Sequence, residues 1–277
     1  MVTETFSLLN YQKELKDLLS CVVSKLEQYN VSYVALFGTC LGAVRHGDII
    51  PWDDDIDIGV KRDDYLMVKQ IIQSECGDLY FWDWYEDPKC CLSFGRIFRR
   101  IKEGDSLERK RAYIDLYIID NVPNGKIARF GMKLLCTVIG RHIVRRCNAK
   151  IEYKTYTISS CVIYWLGLVL YLFPVKILRR LHDWIMSCLS RTTGGTLYSV
   201  VGGCLTLNAL IKENKEIMLG TVCIRIPKDS ETYLTSQYGD WRRLPPPGQR
   251  GEHAYKADGE IIVAMPDDIK RIVSNEH

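Results

Sequence analysis

Hydrophobic residues recur at helical spacing at the start of the chain. From Leu8 to Tyr29 an apolar side chain returns every three or four residues, and charged residues fill the other face. This pattern predicts an amphipathic helix of about six turns. After Asn30, the apolar run from Val31 to Phe37 predicts a buried strand that stops at Gly38.

The next segments predict a mixed sheet. A short helix is expected over 39–45, closed by Gly47, and a loop carries the chain to Asp54. The strict alternation of Asp55-Ile56-Asp57-Ile58 is typical of a half-buried strand. Further patterns predict a helix over 63–74 and strands over 79–85, 93–101 and 112–119. The fold class is therefore α+β (α/β), with a mixed sheet and flanking helices.

The middle of the chain is both basic and apolar. Between Asn121 and Arg191 there are 12 Lys or Arg against 2 Asp or Glu, a net charge of +10 in a chain whose total is +3. We predict a catalytic core over 1–125, a helical basic and apolar region over 126–215, and a C-terminal segment over 216–277 that packs back on the core. Within the last, a strand is expected over 222–226 and a helix over 229–238, capped by Asp229.

Residues 155–175 form a run without any charged residue that is long enough to span a bilayer. Basic residues flank the run on both sides, which disfavours a single span. Two interpretations stay open, namely a buried helix pair and an in-plane helix on an anionic membrane surface. The N-terminus lacks the features of a signal peptide, and the scattered cysteines indicate reduced thiols, so we expect a cytoplasmic protein, with peripheral binding to the inner face of the plasma membrane as the alternative.

Asp55 and Asp57 are the strongest candidates for chemistry. Residues two apart in a strand point to the same face, so both carboxylates project side by side. The two carboxylates repel each other unless a cation lies between them, and their oxygen atoms suit Mg²⁺ or Mn²⁺ as ligands. A solvated acidic strand edge is the plain alternative. An EF-hand loop fits poorly because Ile58 stands where that loop needs glycine.

A third carboxylate is expected from the strand at 112–119. Asp115 lies mid-strand between apolar neighbours and is preferred. Asp120 is the competing choice, but it is placed at the strand end near Pro123, where Asp is commonly a turn residue.

The turn at Gly38 and Thr39 is a candidate phosphate site, because a helix N-terminus presents free N–H groups to an anion. The predicted donor- or phosphate-binding residues are Gly38, Thr39, Arg45, His46, Arg96 and Arg100. For the arginines a solvated surface position is the alternative, and for His46 an orienting or capping role.

Residues 37–58, FGTCLGAVRHGDIIPWDDDIDI, closely resemble the signature of the LicD family over 22 consecutive positions. This family includes bacterial phosphocholine transferases and, more distantly, fukutin and fukutin-related protein. The stretch from Ile226 through Trp241 to Pro246 also resembles the family's C-terminal motif. The resemblance extends over about residues 33–253, weakly in the middle.

The resemblance implies a nucleotidyltransferase fold and transfer of a phospho-alcohol, phosphocholine first, from a CDP-alcohol donor to a sugar hydroxyl. The acceptor would be a glycan or glycolipid precursor of the cell surface, such as lipopolysaccharide or teichoic acid. Asp55, Asp57 and Asp115 look like the catalytic and metal-binding acids, and Asp115 is also the candidate proton acceptor. Candidate substrate-binding residues are Trp52, Asp53, Asp54, Tyr238, Trp241 and His253.

Two rival functions remain. A glycosyltransferase could use the same Asp-x-Asp pattern to hold a nucleotide-sugar, and a non-catalytic membrane-associated protein could retain the fold. No nucleic-acid partner is expected, because the basic segment lacks a recognisable module and an alternating pattern of aromatic residues.

Overall fold

The computed structural model describes residues 8–87, 90, 92–99, 112–121, 125–146, 169–190, 196–198, 204–206 and 213–246. The helices are α1 (Leu8–Gln28), α2 (Phe37–His46), α3 (Arg62–Glu75), α4 (Lys126–Arg146), α5 (Val175–Ser190) and α6 (Ser230–Tyr238), and a 3₁₀ turn (Val169–Leu172) precedes α5. The strands are β1 (Tyr33–Ala35), β2 (Ile56–Lys61), β3 (Leu79–Trp82), β4 (Gly95–Arg99), β5 (Tyr113–Asn121), β6 (Thr196–Tyr198), β7 (Cys204–Thr206), β8 (Asn214–Leu219) and β9 (Val222–Pro227).

Seven strands form one mixed sheet. Its main path runs β1-β2-β5-β4-β3, and β6 pairs with the end of β5 and with β7. Among the described strands of this sheet, β2 and β5 pair in parallel and the other pairs are antiparallel. With helices on its faces, this arrangement confirms the predicted α+β class. Strands β6 and β7 fall in a region that the sequence analysis predicted to be helical.

The two faces of the sheet carry different clusters. Ile58, Ile97 and Ile114 point to one face and join the main core, to which α1 and α3 contribute their apolar stripes. On the other face Phe98 and Tyr113 lie opposite each other and form a second cluster with α4 and α5. Residues 56–60 of β2 are all buried, so both faces of this strand are covered and the prediction of a half-buried strand was wrong.

Strand β1 is shorter than the predicted strand over 31–37. The chain leaves the sheet at Leu36, and Phe37 takes a positive φ of 41° as α2 begins there. Its N–H donates to the Tyr233 hydroxyl at 3.1 Å. At the other end of α2, Gly47 takes the left-handed conformation expected of a helix-closing glycine, with φ 67°.

The C-terminal hairpin of β8 and β9 returns to the core. The Gly220 N–H in its turn donates to the Gly47 carbonyl at 2.7 Å. Helix α6 follows and is capped by Asp229, which accepts from the Thr232 N–H at 3.1 Å as predicted. Among the residues that the structure describes, no helix is both long and apolar enough to cross a membrane. Most of the run 155–175 lies outside those residues.

Candidate active site

The parallel pairing of β2 with β5 places two acids side by side. Asp57 lies opposite Asp115, and the antiparallel pairing of β4 places Arg96 opposite Asp115 on its other side. Since directly paired residues project to the same face, the three side chains form one row across the sheet. The row is buried, with Asp57 only 6% exposed.

Arg96 and Asp115 form a bidentate ion pair. Nε of Arg96 lies 2.5 Å from Oδ1 of Asp115, and Nη2 lies 2.9 Å from Oδ2. Burial raises the pKa of the Asp115 carboxyl, and the guanidinium opposes this by favouring the ionised form. The predicted donor contact of Arg96 stays a prediction; in this structure its charge lies against Asp115.

The start of α2 fixes the backbone of Asp57. The Asp57 N–H donates to Oγ1 of Thr39 at 2.8 Å, and the Leu36 N–H donates to the Asp57 carbonyl at 3.0 Å. Because Thr39 is buried, its hydroxyl oxygen is an acceptor that solvent does not replace. The strand-to-helix turn therefore holds the backbone of Asp57 in place. The phosphate contact predicted for this turn stays a prediction.

Three carboxylates crowd the Asp57 side chain. Its pKa is raised by burial first and then by the neighbouring charges of Asp55, Asp115 and Asp53. Tyr117 donates a hydrogen bond to Asp57, which lowers the pKa and offsets part of this effect. Tyr117 is two residues beyond Asp115 on the same strand and therefore on the same face. Sequence reasoning missed it, although this spacing was the available signal.

The loop before β2 brings a second acid group to the site. Carboxylate oxygens of Asp53, Asp54 and Asp55 lie within 4.8 Å of one another, an arrangement that could hold a metal ion. Gln12 of α1 fixes this loop by donating from Nε2 to the carbonyls of Ile50 and Asp53, each at 2.9 Å. Gln12 was also missed, because a polar residue on the core face of a helix gives no indication of its distant partner.

Gly38 lies against the side chain of Asp53 in this loop. A Cβ at position 38 would lie 2.6 Å from Oδ2 of Asp53, closer than a real Cβ contact. The absence of a side chain at Gly38 thus admits the Asp53 carboxylate. The sequence predicted a phosphate site at this turn, and the structure shows an acid beside the same backbone.

The end of α2 holds the C-terminal segment. Nη1 of Arg45 donates to the Trp241 carbonyl at 2.8 Å, and its Nε donates to Nε2 of His46 at 2.9 Å. Burial and then the Arg45 charge lower the pKa of His46. The His46 ring packs edge-on against Trp52 at 5.9 Å. Arg45 and His46 therefore support the site, and their predicted contact with donor phosphate stays a prediction.

Tyr238, at the end of α6, lies near the acids. Burial raises the pKa of its hydroxyl, followed by the charges of Asp57, Asp53 and Asp55. Of the predicted substrate-binding residues, Trp241 is buried and Trp52 is partly buried. Arg100 and His253 lie outside the described residues.

Asp120 does not belong to this row. It lies inside β5, five residues after Asp115 and so on the opposite face, where Arg62 pairs with it through both carboxylate oxygens at 2.5 and 2.7 Å. The prediction that Asp120 is a turn residue was wrong. The pairing of β5 with β6 continues the strand beyond the point where the sequence indicated its end.

The sequence of this region is similar to that of known proteins. A model of the nucleotidyltransferase domain of the LicD, fukutin and FKRP proteins matches residues 30–123. The match covers strands β1 to β5 and helices α2 and α3. All of the acids described above lie inside that domain, whereas Tyr238 and Trp241 lie beyond it.

Individual relatives extend the comparison. The chain is 26% identical to the lipopolysaccharide cholinephosphotransferase LicD of Haemophilus influenzae, over 82% of this chain and 88% of that protein. It is 40% identical over 110 residues to the ribitol 5-phosphate transferase FKRP of Mus musculus, which is 38% of this chain and 20% of that protein. It is 34% identical over 61 residues to the ribitol-5-phosphate transferase FKTN of Macaca fascicularis, 22% of this chain and 13% of that protein.

Proposed function

We propose that this chain transfers a phospho-alcohol group, phosphocholine first, from a CDP-alcohol donor to a sugar hydroxyl of a cell-surface glycan or glycolipid precursor. The observation that carries the proposal is the buried row of Asp57 and Asp115 inside a LicD-family domain, with the loop acids beside it. The relative that aligns with 82% of this chain is named as a lipopolysaccharide cholinephosphotransferase. The FKRP and FKTN relatives, named as ribitol phosphate transferases, support the same class of transferred group.

The acidic side chains of the site suit a hard divalent cation. Carboxylate oxygens are the ligands preferred by Mg²⁺ and Mn²⁺, and the clustered oxygens of the loop acids come close enough to share an ion. We propose that Asp55 and Asp57 hold the metal, with Asp115 as the third acid and Asp53 and Asp54 as further candidates. When bound, the metal supplies positive charge to the donor pyrophosphate and so favours departure of the nucleotide.

The protein residues contribute orientation and proton transfer. Thr39 and Gln12 hold Asp57 and the loop acids in place through hydrogen bonds to backbone groups. Arg96 favours the ionised form of Asp115, and only an ionised carboxylate can accept the proton of the acceptor hydroxyl. Trp52 and Tyr238 are candidates for contact with the alcohol group, since a quaternary ammonium binds well to aromatic faces.

The experiment is a panel of CDP-choline, CDP-ethanolamine, CDP-ribitol and CDP-glycerol with Mg²⁺ or Mn²⁺ and a lipopolysaccharide or teichoic acid precursor as acceptor. Release of CMP is measured for the wild type and for Asp57→Ala, with the exposed Asp17→Ala on α1 as the matched control. We expect turnover of a CDP-alcohol by the wild type and Asp17→Ala and its loss in Asp57→Ala.

The same panel includes nucleotide-sugars, which test the glycosyltransferase alternative. Turnover of a nucleotide-sugar together with silence on every CDP-alcohol would reject the proposed donor. Equal CMP release by Asp57→Ala and the wild type would reject the role of the acid row.

A further inference from the structure

Helix α5 exposes large apolar side chains on its outer surface. Trp184 is 65% exposed, and Ile177 and Leu181 lie beside it on the same face of the helix. The turn that leads into α5 continues this surface with Tyr171, Leu172 and Phe173, of which Leu172 is 81% exposed. A contiguous exposed apolar patch marks an interaction surface, whereas single exposed apolar residues do not. We refer to these six residues as the α5 outer face.

The rotation of α5 is fixed by polar contacts of Arg179 and Asp183. Arg179 donates to the carbonyls of Trp84 and Cys90 at 3.1 and 2.5 Å. Asp183 accepts a hydrogen bond from the Tyr85 hydroxyl and lies 3.9 Å from the Arg62 guanidinium. These contacts would be lost if the helix turned its apolar side inward. The exposure of Trp184 is therefore a consequence of defined packing.

Charge identifies the partner. Lys176 and Arg180 are exposed beside the apolar residues, and the single acid of the helix, Asp183, is already held by Tyr85 and Arg62. The exposed side chains of this surface are thus apolar and basic. Anionic lipid headgroups attract such basic residues, and tryptophan favours the boundary between headgroups and acyl chains.

We propose that the α5 outer face, with Lys176 and Arg180, binds the surface of an anionic membrane, with the helix lying in the plane of the bilayer. The inner side of α5 packs through Leu178 into the cluster of Phe98 and Tyr113. By register that cluster lies on the same face of the sheet as the acid row. Membrane binding does not depend on the reaction proposed above, and its measurement uses no donor or acceptor.

The test is flotation of the full chain with two kinds of vesicle, phosphatidylcholine alone and phosphatidylcholine with phosphatidylglycerol. We expect the wild type to float with the anionic vesicles and much less with the neutral ones. The double variant Lys176→Glu and Arg180→Glu should bind the anionic vesicles about 30-fold more weakly, from the loss of two basic contacts at the surface. Trp184→Ser should weaken binding to both kinds of vesicle.

Matched controls come from exposed positions elsewhere. Leu66→Ser on α3 controls for the loss of an exposed apolar side chain, and Lys13→Glu with Lys215→Glu controls for charge. Both controls should float like the wild type, and circular dichroism checks that each variant folds. Failure of the wild type to float with anionic vesicles, or equal weakening by the controls, would overturn the proposal. So would a wild-type dimer that Trp184→Ser dissociates and that binds no vesicles, because the surface would then be an interface between copies.

Discussion

The Arg62–Asp120 pair offers a quantitative test of the structural account of β5. The Asp120 side chain is completely buried and that of Arg62 is 17% exposed, and two hydrogen bonds of 2.5 and 2.7 Å join them. In Arg62→Leu, the carboxylate would stay buried without its cation. Breaking a buried pair in this way costs about 3–5 kcal/mol, because the remaining charge is desolvated and uncompensated.

Urea unfolding followed by circular dichroism measures this loss. An exposed pair on the same sheet provides the control, since the side chains of Arg99 and Asp78 are 40% and 39% exposed and pair at 3.0 Å. Arg99→Leu should cost less than about 1 kcal/mol, as is usual for solvated pairs. The double variant Arg62→Leu with Asp120→Leu should be more stable than Arg62→Leu alone, because it removes the isolated charge as well.

The pH dependence gives the same test a second readout. Burial raises the pKa of the Asp120 carboxyl, and Arg62 opposes this by lowering it. Without Arg62 the pKa in the folded state would rise further above its unfolded value. A carboxyl shifted in this direction destabilises the fold progressively as pH rises through the folded pKa. The loss in free energy of unfolding caused by Arg62→Leu should therefore be smaller at pH 5 than at pH 7. A cost below about 1 kcal/mol at pH 7, as for a solvated pair, or a deficit that does not shrink on acidification, would refute the reasoning.

Three further predictions concern the acid row. Asp57→Asn should abolish the rise in melting temperature produced by Mg²⁺ or Mn²⁺, and in a chelator it should melt no lower than the wild type, because one of several crowded charges is removed. Thr39→Val should cost about 1–3 kcal/mol in urea unfolding, because the buried Asp57 N–H loses its acceptor, whereas Thr39→Ser should retain most of the stability. Gly38→Ala should reduce the same metal-induced rise by displacing the Asp53 carboxylate, and Gly131→Ala, with open space around it on α4, should not.

Local pattern was enough for most elements of the fold. The helical period of α1 and the strand positions of β2 and β5 were predicted within a few residues, since each depends on the sequence near it. Strand β8 was missed for a related reason. It pairs only with β9 and most of its side chains are partly or fully exposed, so Asn214–Leu219 lacks the apolar alternation of a strand with one buried face.

The polar contacts of the site could not be predicted in the same way. The pairing of Arg96 with Asp115, or of Gln12 with the loop before β2, depends on which strands are neighbours and in what register. A single sequence does not specify that order, because several strand arrangements would bury the same apolar faces. The acids themselves were identifiable from their spacing, although Asp55 precedes β2 and only Asp57 lies within the strand.

Asp115 and Asp120 show how the structure separates a binding site from a structural pair. Both are buried acids of β5, and each is joined to one arginine through both oxygens. Around Asp120, Arg62 also faces Asp183, and the pair links β5, α3 and α5. Around Asp115, Arg96 faces a group that also contains Asp57 and the loop acids, so one guanidinium meets several carboxylates. Protonation of Asp57, whose pKa is raised, or a bound cation would relieve that excess of negative charge. Metal should therefore stabilise the protein through the Asp115 face of β5 and leave the cost of breaking the Asp120 pair unchanged.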